Sequence, residues 1–113
     1  MTNKEFIRQF EQGLIPCDAF HHADHVRVAF AYLCEYSVAE ALERFVVALK
    51  RFATACGKPQ LYKEDLTRAY FALISERMVA SEGSSWEEFA RRNPDLLIWK
   101  RGNPEALLSR YSQ

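Results

Sequence analysis

The sequence has no surplus of either charge: fifteen Lys and Arg balance fifteen Asp and Glu, for a formal net charge of zero over 113 residues. Without a basic block there is no counterpart for a phosphate backbone, and nucleic acid is excluded as an expected partner. No apolar run reaches the roughly 18 residues a membrane span requires. Met1 is followed by Lys4, Glu5 and Arg8 rather than by the apolar stretch of a secretory leader. The expectation is a protein with no membrane partner and a cytoplasmic location. Cysteine is scarce and unpaired in pattern: Cys17, Cys34 and Cys56 are an odd, widely spaced set with no CxxC. They are expected as reduced thiols, with Cys34 and Cys56 as small buried hydrophobes inside helices. Sustained period-two alternation, internal repeats and low-complexity stretches are missing, which argues against strands and solenoids. GxSxG, P-loop, GxGxxG and HExxH are missing too, so no familiar motif assigns an activity.

What is present is helical punctuation. Hydrophobic residues make up 49% of the chain and aromatics 13%, enough to form a core without a metal or a crosslink. Thr2 with Glu5, Ser37 with Glu40 and Ser85 with Glu88 each have the S/T-x-x-E spacing of a helix start. Gly13, Gly57 and Gly83, together with Asn93-Pro94, supply stops. Between these marks, Phe6 and Phe10 define a first short helix. Val26, Ala29, Phe30 and Leu33 define a second over 22–36, and Leu42, Phe45, Val46, Leu49 and Phe52 a third. Leu66, Tyr70, Leu73, Ile74 and Met78 define a fourth that begins near Tyr62, and a fifth runs from Ser85 to Arg92. Val28, Ala31 and Cys34 carry the apolar surface of the second helix most of the way round, which makes it the central one. The fold class is all-α: one domain over 1–113, a compact bundle of about five helices plus a short helical C-terminal tail. That tail is expected to start at Asn103-Pro104 and to pack through Trp99 and Tyr111.

All three histidines fall within Phe20-His21-His22-Ala23-Asp24-His25. At about 100° per residue, His22 and His25 share a face with Val26, Ala29, Leu33 and Tyr36, whereas Asp24, Arg27 and Glu35 fall opposite. His21 lies off the stripe and is expected in solvent. An i,i+3 pair can offer two nitrogens to one metal, but a stable site needs a third ligand. The same rings can equally serve as hydrogen-bonded polar residues at the edge of the core. On the fourth helix Lys63 and Thr67 share a face with Tyr70 and Ile74. If the second and fourth helices pack together, His22, His25, Lys63, Thr67 and Tyr70 line one cavity. Such a pocket suits a small anionic molecule, or proton transfer with His22 and His25 as catalytic acid and base. The plainer alternative keeps Lys63 as a solvated first-turn residue and turns the Thr67 hydroxyl to a carbonyl one turn back. Cys17 stands close enough to the histidines to raise a Cys-His nucleophile, but the neighbouring Asp18 would push its thiol pKa up rather than down.

At Phe20, His22, His25 and Ala29, then Tyr62 and Thr67, then Phe89, Asn93 and Pro94, and finally Arg110, Tyr111 and Ser112, the chain resembles a group of small uncharacterised bacterial all-helical proteins. Their pattern is F-x-H-x-x-H, a later Y-H-x-T-x-T, an F-x-x-x-N-P stretch and an aromatic-Ser tail. The resemblance covers most of the chain and implies the helical fold. Its three histidines imply a metal site, and this chain departs there, with Lys63 where the pattern has the third His and Asp65 where it has Thr. An ammonium beside two imidazoles repels a cation and favours an anion.

Three readings follow from the sequence. The first is a binder of a small anionic ligand in the five-residue pocket, with histidine acid/base chemistry available. The second is a non-enzymatic interaction module or homodimer built on Trp86 and Trp99. The third is a metal-binding protein in which His22, His25 and Glu64 hold a divalent ion.

Overall fold

The computed structural model describes residues 2–80 and 83–97. Six α-helices are present among them, α1 (Asn3–Glu11), α2 (His22–Glu35), α3 (Val38–Ala55), α4 (Glu64–Ala80), α5 (Trp86–Arg92) and α6 (Pro94–Leu97), with 3-10 turns at Cys17–Ala19 and Pro59–Leu61. The described residues contain no strand, and the architecture is an all-α bundle.

The helix starts lie where the capping residues put them. Thr2 Oγ1 accepts from the Glu5 amide at 3.1 Å, Ser37 Oγ from Glu40 at 3.4 Å and Ser85 Oγ from Glu88 at 3.3 Å. Each bond satisfies one of the amide donors that a helix leaves open at its first turn. Before α2 the direction is reversed. The His21 amide donates to Asp24 Oδ2 at 2.9 Å, so a carboxylate in the first turn fixes the entry to the histidine helix. Two stops use glycine in the left-handed region: Gly13 at φ 70 ends α1 and Gly57 at φ 75 ends α3. After α3 the Gly57 and Lys58 amides donate to the carbonyls of Thr54 and Ala53, the paired bonds of a Schellman turn. That turn brings Cys56 and Lys58 to one end of the bundle.

α2 is the central helix. It packs against α1, α3, α4 and α6, and Val26, Val28, Ala29, Phe30, Ala31 and Tyr32 are all buried, taking up most of its circumference. Its outer face is covered as well. The Arg27 guanidinium lies 4.8 Å from the centroid of Phe6 and 5.5 Å from that of Trp86, and its Nη1 donates to Asn3 Oδ1 at 2.8 Å. Arg27 therefore cements α1 and α5 onto α2 through cation–π contacts. Trp86 packs on Phe30 and Phe89 with centroids 5.5 and 6.1 Å apart. It is half-buried within its own chain.

Asn93 ends α5 and Pro94 begins α6 without a spacer. Asn93 is buried, its Nδ2 donating to the Phe89 carbonyl at 2.9 Å and its Oδ1 accepting from Arg77 Nη1 at 2.8 Å. Arg77 also grips Asp95 at 2.9 Å, so the Asn-Pro step is locked onto α4. The expected tail helix at Asn103-Pro104, with Trp99 and Tyr111, lies outside the described residues, as do Arg110 and Ser112.

The cysteines differ from expectation. Cys17 and Cys56 are joined in a disulfide across 39 residues, with Cα atoms 5.8 Å apart. Neither is a reduced thiol. No spacing rule announces the bond, because packing of the Pro16–Phe20 connection against the end of α3 creates the proximity. Cys34 remains a thiol but is exposed rather than buried. No described helix is long and apolar enough to cross a membrane.

Candidate functional site

α2 and α4 do pack together, and with α3 they enclose a cavity of about 390 Å³. His22, His25, Lys63, Thr67 and Tyr70 all line it. The two histidines come from the first turn of α2, where one face carries both rings inward. Thr67 and Tyr70 come from α4, and Lys63 immediately precedes that helix. The far side is α3, whose Phe45, Leu49 and Phe52 supply an apolar wall. His21, as expected, is exposed.

His25 is the deeper imidazole. Its ring centroid lies 4.5 Å from that of Phe20, which in turn packs on Phe10 and Phe52 at 5.3 and 4.6 Å. Burial in this aromatic nest pulls its pKa down to about 4; the His22 charge pulls the same way and Asp24 opposes them. A neutral ring is the consequence at physiological pH.

His22 is held differently. Its Nε2 lies 2.8 Å from the Leu96 carbonyl oxygen, a bond from the cavity wall to α6. In the neutral ring Nε2 carries the proton that this carbonyl accepts, which fixes the tautomer. Burial lowers the His22 pKa and the Leu96 bond partly restores it. Tyr70 meets the ring edge-on at 5.1 Å, and burial raises the phenol pKa. The two imidazole centroids are 6.5 Å apart.

Glu64, the carboxylate considered for a metal, is exposed and engaged elsewhere. Its Oε1 lies 3.2 Å from Lys50 Nζ and its Oε2 lies 3.6 Å from Arg68 Nε. These cations hold its pKa below the usual carboxylate value. Among the described residues no group of three His, Cys, Asp or Glu side chains gathers as a metal site.

Three contributors were not singled out as site residues by the helical periodicity. Lys58 lines the cavity from the turn after α3, and the Cys17–Cys56 disulfide forms part of its wall. Tyr62 lines it as well, with its hydroxyl shielded from solvent and lacking a well-formed hydrogen bond. Burial and the charge of Glu64 push that phenol pKa up, while Arg68 and Thr67 oppose the rise. Tyr62 had a sequence signal, its place in the Y-x-x-x-x-T pattern. The other two sit in connections, where periodicity is silent. Comparison with known families, characterised proteins and solved structures finds no match, so the site is read from its own geometry.

Proposed function

We propose that the protein binds a small anionic molecule in the α2–α3–α4 cavity, with His22, His25, Lys63, Thr67 and Tyr70 as its polar contacts. The observation that carries this reading is convergence. Five polar side chains from two segments forty residues apart in sequence line one mostly apolar cavity of about 390 Å³. A largely apolar concavity with a few convergent polar groups is the usual form of a small-molecule site.

The charge of the ligand follows from the charges around it. His25 is neutral, Glu64 is spent on Lys50 and Arg68, and Lys63 enters no ion pair among the described residues. The electrostatic demand left at the cavity is for negative charge. Binding comes before catalysis in this reading. An imidazole held near pH 4 is a weak base at neutral pH, so His25 acts as a neutral hydrogen-bond partner. His22, oriented by Leu96, is the better candidate for acid–base work. The cytoplasmic location belongs to the same proposal, with the Cys17–Cys56 pair then subject to cellular reductant.

The test is a thermal-shift screen of the full chain against anions of graded size, from phosphate and citrate to benzoate and dodecanoate. A binder raises Tm in proportion to occupancy. At least one anion should raise it in the wild type and fail to do so in Lys63→Ala and Thr67→Val, both with unchanged helical circular dichroism. Shifts of the same size in both variants would sink the proposal.

A further inference from the structure

The cavity is graded from one extreme of polarity to the other, and the grading defines a class of ligand. At its base the lining is sealed from solvent: Ala29, Phe45, Phe71 and Ile74 are between 1% and 4% exposed. At its open side Lys58 and Lys63 are both exposed. Neither lysine enters an ion pair among the described residues, unlike Lys50, which is matched by Glu64. No described Asp or Glu lines the cavity to compensate them. Tyr62 lines the cavity as well, and its shielded hydroxyl lacks a well-formed hydrogen bond. A buried phenol in that state is a donor still to be satisfied.

We infer that the ligand is an amphipathic monocarboxylate, its aliphatic body in the apolar base and its carboxylate at Lys58 and Lys63 within reach of the Tyr62 hydroxyl. The inference rests on the anion-binding reading and narrows it. A compact polyanion such as phosphate or citrate would neutralise the lysines but leave the base unfilled. An uncharged hydrocarbon would fill the base and leave both ammonium groups and the phenol without partners. Two lysines match a single carboxylate, and the cavity volume lies at the small end of ligand sites, which fits a chain of medium length.

Isothermal titration calorimetry of the full chain with hexanoate, octanoate, decanoate and dodecanoate, each below its aggregation threshold, provides the test. Decanol and citrate complete the set. Binding should tighten by about tenfold for each added pair of methylenes until the base is filled. Decanoate should bind at least tenfold more tightly than decanol, and Lys63→Glu should remove that advantage while leaving decanol unchanged. Ala53→Trp, which fills the cavity from α3, should abolish binding of both. If that variant does not fold, Lys63→Glu, at an exposed position, still decides the matter. Lys63-dependent binding of citrate with no gain along the alkyl series would overturn this inference and leave the anion pocket standing. Equal affinity for decanol and decanoate, insensitive to Lys63→Glu, would overturn both, as would the absence of binding across the whole set.

Discussion

At the scale of single residues, His25 gives the sharpest expectation. Its folded pKa of about 4 lies below the ordinary value of 6.5. The unfolded chain therefore takes up a proton that the folded chain refuses, and stability is complete above pH 6.5 and lost as the pH falls toward 4. His22 is lowered too and contributes in the same direction. The loss assigned to His25 is up to roughly 3 kcal/mol. Guanidinium melts of the wild type and His25→Gln at pH 7 and pH 4.5 measure it. The wild type should lose more stability between the two conditions than the variant, and parallel losses would mean that the ring is not buried. Asn93 offers a second case. Asn93→Ala strips the Arg77 guanidinium of one acceptor and the Phe89 carbonyl of one of its two donors, the backbone amide remaining, at a cost of about 1–3 kcal/mol. A urea midpoint unchanged within error would contradict that account.

At the scale of elements, the helices obey local rules that the sequence displays. Ser37, Glu40 and Gly57 bracket α3 correctly because capping hydrogen bonds and left-handed glycine act over four residues. Replacing Gly57 with Ala forces a side chain into φ 75 with nothing crowding it. The cost is conformational alone, about 1–2 kcal/mol. Because Gly57 also turns Cys56 and Lys58 toward the cavity, the variant should in addition weaken binding of an anionic probe by several-fold in a calorimetric titration. Unaltered affinity would show that the turn is dispensable to the site. Where local rules ran out, neighbours decided. Cys34 has an apolar-stripe position on α2, yet it stays exposed. Arg27, on the polar side of the same helix, is roofed by Phe6 and Trp86. Helical phase ranks positions by angle and does not say which flank receives a partner.

For the molecule as a whole, the Cys17–Cys56 disulfide closes a loop of 39 residues that contains α2 and α3. By the chain-entropy argument it contributes about 4 kcal/mol against unfolding. The guanidinium midpoint should fall by a corresponding amount in Cys17→Ser/Cys56→Ser, and in the wild type under reductant, with no additive loss when the two are combined. Mass spectrometry supplies a separate check: denatured protein treated with maleimide without reductant should take one adduct, at Cys34, and three after reduction. Three adducts before reduction would show the pair to be open. Such bonds persist in oxidising surroundings and are reduced in an ordinary cytosol. The compartment therefore determines whether this part of the cavity wall is crosslinked.

Spacing along the chain was enough for the five longer helices, most of their starts and stops, the centrality of α2 and the inward face shared by His22 and His25, but not for α6 at Pro94–Leu97, where Asn93-Pro94 reads as a stop. Those properties depend on spacing and on hydrogen bonds within one turn, both of which a linear sequence records. It also identified five of the polar residues that line the cavity, but only on the condition that α2 and α4 meet. Tertiary structure alone decided that they do, that α3 closes the third side and that Lys58 reaches the opening. It also coupled Cys17 to Cys56, engaged Glu64 with Lys50 and tied His22 to Leu96. Each of these pairs residues from segments far apart in the chain or from connections without periodicity, and such contacts arise only when several apolar faces are buried together.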